Sequence, residues 1–440
     1  MPRPTPTSTP DSASSRPLQF RTSPEVEALV RRERIDEEHE RVALAYLGCE
    51  SLLGGEETLG PLRAALAWDR LAPHLEAEGW QVDGCLGFNR HDSVEAAKFG
   101  NLRLSEALSL EVPRRVILFL RRGAERLVVR MIEMEQMRGG TVYQFAALGA
   151  GESGLGFLER WLAYARATNR LRGCALAAGG RLLEIEPGST NQVFLRPEAR
   201  TRIDRALARL AASARARLAA AGVRARGGLI LTGPPGTGKS TLGRELAASA
   251  TATFVWATPG DLSTSEEIAE LFAMARWLAP TILFLEDLDL IAESRERGGR
   301  ASVLGQLMNE LDGLRGDHPL LTIATTNRLE VIEEALRNRP GRFDEVVELG
   351  LPGRGVREQM LRHFFRGCRL APHDLAWLND RLDDASGAEI ERLAQEAIAL
   401  AALEEPESES APEVRREHLE SALEPREGPG PRRTMGFAAG

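Results

Sequence analysis

The run GLILTGPPGTGKSTLG, Gly228 to Gly243, narrows what this chain can fold into more than any other stretch. Leu229, Ile230 and Leu231 form a short apolar run of the kind buried in a sheet. Gly233, Pro234, Pro235 and Gly236 then break it into a loop. Thr237, Gly238, Lys239 and Ser240 follow, and Thr241 to Ala250 reads as a helix. In a strand, G-x-x-x-x-G-K-S, helix arrangement, successive backbone N–H groups and the helix N-terminus can wrap a polyphosphate. Ser240 supplies a hydroxyl for Mg²⁺. Lys98 and Lys239 are the only lysines in the chain, and every other basic side chain is arginine. A slender ammonium fits between phosphates where the planar fork of arginine crowds the nest, which gives Lys239 a reason to be lysine.

A chain of 440 residues holds two or three domains, each able to bury its own core. The net charge of −8 weighs against a general nucleic-acid binder or a binder of anionic membranes. No apolar run is long enough to span a bilayer. The start, MPRPTPTSTPDSASSRP, has no apolar signal core, and residues 1–24 read as a disordered tail. Cys49, Cys85, Cys174 and Cys368 form no C-x-x-C pair, so buried, inert thiols in a reducing cytoplasm are expected. The seven histidines show no metal-ligand spacing.

Residues 25–195 read as a mixed α/β (α+β) region, an expected recognition or assembly domain. Glu25 to Leu47 has helical apolar spacing. RRVILFLRR and ERLVVRMIEM read as strands joined at Gly123, TVYQFAAL as a third, Gly156 to Arg170 as a helix, and CALAAGGRLLEI as a hairpin. Residues 196–228 form a linker in which Arg196 to Ala221 is one helix with Ile203, Leu207, Leu210, Ala214 and Leu218 on its apolar face. Across residues 229–352 short apolar strands alternate with helices: Leu229–Thr232, Thr253–Ala257, Thr281–Leu285, Leu320–Thr325 and Glu345–Leu349. That spacing implies a parallel sheet with helices on both faces. Residues 353–424 turn helical, as a lid would, and residues 425–440 read as a second loose tail.

A phosphate nest that uses Mg²⁺ needs acids beside it, and TILFLEDLD supplies them. A buried strand ends in Glu286 and Asp287, at the carboxyl end of the sheet where ligands sit. One carboxylate can hold the metal and the other can polarise an attacking water. The next strand runs out at Asn327, whose amide can position water beside the terminal phosphate. Beyond it, ALRNRPGRFDE places Arg339 and Arg342 around a Pro-Gly turn that can present guanidinium groups to phosphate.

Together these pieces resemble the AAA (AAA+) family of ring ATPases. The matching residues are GPPGTGKS (233–240), APTILFLEDLDLIA (279–292), LMNELDGL (307–314), TIATTNRLEVIEEALRNRPGRFDE (322–345) and SGAEIERLAQEAIALAA (386–402). The resemblance covers about residues 197–423. It implies a P-loop NTPase sheet with a helical lid, ATP and Mg²⁺ as ligands, and assembly as a homo-hexamer. By position, Gly233, Pro234, Pro235, Gly236, Thr237, Gly238, Lys239, Ser240 and Thr241 bind phosphates. Ser240 and Glu286 serve the metal, Asp287 the water, and Asn327 is the sensor. Arg339 and Arg342 reach the ATP of a neighbouring subunit, and Gly387 and Ala388 lie near adenine and ribose.

Two departures stand out. The usual order of acids is Asp then Glu; here it is Glu286 then Asp287, an order similar to that of the mitochondrial Rieske-protein translocase group. Many AAA unfoldases also carry an aromatic-apolar-Gly loop after the second strand. Here STSEEIAELF follows FVWATPGDL directly, and Trp256 falls within the strand pattern as an expected core residue. No H-E-x-x-H occurs, so no zincin-type protease is attached. The leading expectation is a cytoplasmic ATPase that remodels a protein partner, with neither nucleic acid nor membrane as target. The alternatives are a weakly hydrolysing switch or scaffold and a DNA-acting loader.

Overall fold

The computed structural model describes residues 22–32, 39–51, 53–90, 94–136, 140–149, 153–185, 192–223, 225, 227–249, 252–293, 301–312, 318–336, 343, 345–404 and 410–424. The chain opens with α1 (Pro24–Arg32) and α2 (His39–Leu47), then β1 (Leu53–Leu59), α3 (Pro61–Asp69) and α4 (Leu71–Glu78). Next come β2 (Gln81–Phe88), β3 (Val94–Glu95), β4 (Phe99–Arg103), β5 (Ser109–Pro113), β6 (Arg115–Arg122), β7 (Glu125–Glu135), β8 (Thr141–Gly149) and α5 (Ser153–Thr168). An antiparallel sheet forms in the order β1-β8-β7-β6-β2-β3, with β4 and β5 as a separate hairpin. Its central strands read as continuous apolar runs because both faces are covered. Leu118, Leu120, Val129, Met131 and Phe145 face α3 and α5, while Ile117, Phe119, Val128 and Ala146 face α1 and α2.

The second sheet is parallel. Its strands are β9 (Ala175–Ala177), β10 (Gly227–Thr232), β11 (Thr253–Ala257), β12 (Thr281–Leu285), β13 (Leu320–Thr326) and β14 (Glu345–Glu348), in the order β14-β10-β13-β12-β11-β9. Between these strands run α6 (Pro197–Ala208), α7 (Ala212–Ala220), α8 (Lys239–Ser249), α9 (Ser265–Trp277), α10 (Leu288–Glu293), α11 (Ala301–Asp312) and α12 (Leu329–Leu336). One face packs Leu229, Leu231, Phe254 and Phe284 against α6 and α8. The other packs Ile230, Val255, Leu283 and Leu285 in a cluster that runs without a break through α9 to α3, α5 and the first sheet. A small lid follows: α13 (Arg354–Phe364), β15 (Arg369–Leu370), α14 (Pro372–Arg381), α15 (Gly387–Glu404), β16 (Glu413–Val414) and α16 (Arg416–Leu423), around its own core.

Several expectations change here. The segment 175–177 lies inside the stretch expected to be the N-terminal domain. It is instead the edge strand of the parallel sheet, paired Phe254↔Ala175 and Trp256↔Ala177. The hairpin expected there survives as a tight turn, with the Ala177 N–H donating to Arg181 O at 2.8 Å and a single bridge between Leu176 and Leu182. The single linker helix is two. Ile203 and Leu210 are buried, but no residue of α7 is, so no apolar face continues the helix past Leu210. Helix α1 begins at Pro24, at the end of the expected tail, and residues 1–21 and 425–440 lie outside the described residues. All four cysteines are free but half-buried rather than core.

The two sheets are also joined by polar contacts. Arg63 of α3 donates to both carboxylate oxygens of Glu270 in α9, from Nε at 3.1 Å and Nη2 at 2.6 Å. Arg166 of α5 stacks over the Trp277 ring at 4.8 Å. Within the first domain, His74 is buried between Phe157 and Tyr164. Burial pushes its pKa below the usual histidine value, against the pull of Glu78. A histidine whose folded pKa is lowered stabilises the fold above its unfolded value, and that stability drains away as pH falls through and below it. Thermal unfolding of the wild-type chain should therefore lose stability between pH 7 and 5. His74→Phe should remove part of that pH dependence; an unchanged dependence would refute the assignment.

Candidate functional site

The site grows from the turn that joins β10 to α8. Gly233, Gly236 and Gly238 take φ of 149°, 78° and 97°, which side-chain-bearing residues rarely adopt, so the loop closes on itself. Thr237 Oγ1 donates to Pro234 O at 2.9 Å and pins the turn. Lys239, only 6% exposed, donates from Nζ to Gly233 O at 2.7 Å and Pro234 O at 2.9 Å. Burial lowers the Lys239 pKa, and the charges of Asp287 and Asp289 partly restore it.

Strand β12 delivers the acids. Glu286 is held on both sides: Ser240 Oγ donates to Oε1, and Trp256 Nε1 donates to Oε2 at 3.0 Å. Asp287 sits at φ 46°, a conformation that aspartate tolerates better than glutamate, and its N–H donates to Thr325 Oγ1 at 3.0 Å. Burial first, then the charges of Glu286 and Asp289, lift the Asp287 carboxyl above the usual range; Lys239 opposes them. Asn327 stands exposed at the end of β13, and its N–H donates to the buried Asp289 Oδ1 at 3.4 Å.

The lid closes the other side. The Ala388 N–H at the start of α15 donates to Gly236 O at 3.1 Å. A Cβ on Gly236 would lie 2.9 Å from Ser386 Oγ and 3.0 Å from Ala388 Cβ. Between loop and lid lies a cleft of about 340 Å³. Pro235 to Thr241, Arg244, Asp287 and Asn327 line one wall, and Gln192, Val193, Phe194, Met360, Phe364, Gly387, Ala388 and Glu391 the other. The geometry thus brings together the loop residues, Lys239, Ser240, Glu286, Asp287, Asn327, Gly387 and Ala388. Arg339 and Arg342 lie outside the described residues.

Some contributors were not legible in the sequence. Asp289 stood in the quoted TILFLEDLD run, but nothing marked it as the buried support of Asn327. Phe194 comes from the last residues of the expected N-terminal region, just before α6, and Met360 and Phe364 from lid helix α13, far along the chain. Trp256, expected in the core, is half-buried and turns its ring nitrogen toward Glu286.

The donor set suits a magnesium nucleotide. Mg²⁺ favours hard oxygens, and the Ser240 hydroxyl and the Glu286 carboxylate already meet. The loop amides and Lys239 suit phosphates, and an apolar slot lies beside them for a base. The sequence profile of the ATPase family associated with various cellular activities (AAA) matches residues 229–351.

The chain carries an AAA domain.

Such a domain binds ATP with Mg²⁺ and hydrolyses it. The ATP-dependent zinc metalloprotease FtsH of Thermus thermophilus is 37% identical over 196 residues, covering 42% of this chain and 31% of that protein. The FtsH of Mycoplasmopsis pulmonis is 35% identical over 199 residues, covering 42% and 27%. Protein CdcH of Halobacterium salinarum is 38% identical over 180 residues, covering 39% and 24%. The chain spans less than a third of the length of these relatives. Among the described residues, no helix is long and apolar enough to cross a membrane.

Lys239→Ala should weaken ATP binding by roughly a hundredfold, from the loss of charged hydrogen bonds worth about 3 kcal/mol. Titration with a fluorescent ATP analogue measures this, and wild-type affinity in the variant would refute the assignment.

Proposed function

We propose that this chain is a ring-forming ATPase, most simply a homo-hexamer, that uses ATP hydrolysis to remodel a protein partner. The observation that carries this reading is one cleft bordered by Lys239, Ser240, Asp287 and Asn327, with Glu286 fixed to Ser240 at its base. In this reading Ser240 and Glu286 hold Mg²⁺ and its waters. Asp287 accepts the proton of the attacking water, and Asn327 orients that water. Arg339 and Arg342 complete the site of a neighbouring subunit. Residues 25–195 choose the partner. The four free cysteines suit a reducing cytoplasm. The zinc protease chemistry in the names of the relatives is not carried over, since the sequence holds no H-E-x-x-H.

One observation favours a slower machine. The base in this reading is aspartate, one methylene shorter than glutamate, so its reach to water depends on the backbone bend at Asp287. That would make the chain a switch that holds ATP for long periods.

Two outcomes test the reading. Specific ATPase activity should climb with protein concentration, because each site needs its neighbour. Asp287→Asn should keep ATP binding and lose turnover, and the Arg339→Ala/Arg342→Ala double variant should also be inactive. Mixed together, the two should regain activity, since the Asp287→Asn subunit lends its arginines to an intact site. Activity independent of concentration and no regain on mixing would overturn the ring. Bound ATP with no phosphate release from wild type would favour the switch.

A further inference from the structure

Glu286 carries one methylene more than an aspartate would, and therefore one more rotatable bond to fix. Trp256 supplies the fixing point. It lies in β11 opposite Phe284 of β12, and the two rings pack at 4.9 Å between centroids. Phe254 joins them at 5.9 Å from each ring. Phe254 and Phe284 are fully buried, whereas Trp256 is half-buried, with its pyrrole edge at the site. Its Nε1 reaches Glu286 Oε2 at 3.0 Å while Ser240 engages Oε1. An indole N–H only donates, so it binds a carboxylate without competing for a cation.

Room for this ring is made one helix away. Gly243 lies inside α8, where a glycine is destabilising relative to alanine. A Cβ at that position would lie 2.8 Å from Trp256 Cη2 and Cζ3, and 2.8 Å from Phe284 Cζ. The glycine is what lets the indole lie against α8. Gly243 and Ser240 of α8, Trp256 of β11 and Glu286 at the end of β12 therefore depend on one another across three elements of the chain.

We infer that Trp256 is a positioning residue for Glu286: its indole N–H holds the carboxylate turned toward Ser240, where Mg²⁺ is to be received. The inference rests on the magnesium-nucleotide reading of the cleft. It also accounts for the acid order, since a glutamate at position 286 has an anchor that a shorter side chain would not reach.

Trp256→Phe keeps a ring in the stack and removes the donor. The Mg²⁺ concentration for half-maximal binding of a fluorescent ATP analogue should rise about tenfold, as for lost partners of metal ligands elsewhere. In a Glu286→Asp background the same substitution should add nothing, because aspartate has already lost the contact. An unchanged Mg²⁺ requirement, or full additivity in the double variant, would overturn the inference. A nucleotide-free readout decides it independently. In ¹H–¹⁵N spectra of the six tryptophan indoles, Glu286→Asp should move one resonance, the one missing from Trp256→Phe. If Trp256→Phe does not fold, the Glu286→Asp spectrum alone is decisive, and no moving indole resonance sinks the proposal. If wild type binds no ATP analogue, the reading of the cleft fails, while the spectra still decide the Trp256 contact.

Discussion

Keeping the Lys239 ammonium buried yet charged is the demand around which the site is arranged. A cation removed from water tends to lose its proton unless acceptors and negative charge surround it. Here the carbonyls of Gly233 and Pro234 accept from it, and the carboxylates of Asp287 and Asp289 act on it. Each requires a particular architecture. The carbonyls need the glycine turn after β10, and the carboxylates need β12 to end beside that turn. The parallel order β10-β13-β12 sets that distance, so the sheet topology is part of the electrostatics.

The inverted acids follow from the same geometry. Position 287 has positive φ, where a short polar side chain costs less than a long one. Position 286 points back along the sheet to α8, and there the longer side chain can meet both Ser240 and Trp256. Exchanging the two residues would put the longer chain on the bend and pull the shorter one off its indole donor. The Glu-Asp order is therefore a consistent solution for this backbone.

What the sequence disclosed depends on how each strand is buried. Thr253–Ala257 and Thr281–Leu285 appear where apolar runs placed them, because strands covered on both faces are apolar throughout. Lys239, Ser240 and the two acids were legible because their chemistry needs fixed spacing along the chain. In the first domain, β1 reads LGGEETL and β2 reads QVDGCLGF. Both carry glycines and acids that blur any alternation, and β2 has a bulge between Val82 and Gly84. Asp83 is buried in that bulge because Tyr46 and Arg121 donate to it at 2.8 and 2.9 Å, partners 37 and 38 residues away. Trp256 was hidden for the same reason. Its ring fits a core pattern, and only the folded chain brings its nitrogen to Glu286, 30 residues on.

The joining of the two sheets bears on how the first domain would act. A tethered arm would carry its own closed core and meet the ATPase sheet through a linker. Here one apolar cluster runs from Leu118 and Trp161 through Phe272 to Leu283, and β9 extends the ATPase sheet from within the stretch expected to be N-terminal. Helix α9 lies between the sheets and takes Arg63 on Glu270 and Arg166 on Trp277. The same β11 that precedes α9 pairs with β9 and carries Trp256 to Glu286. The first domain and the strands that carry Trp256 and the acids are therefore parts of one packed interior rather than separate bodies on a tether.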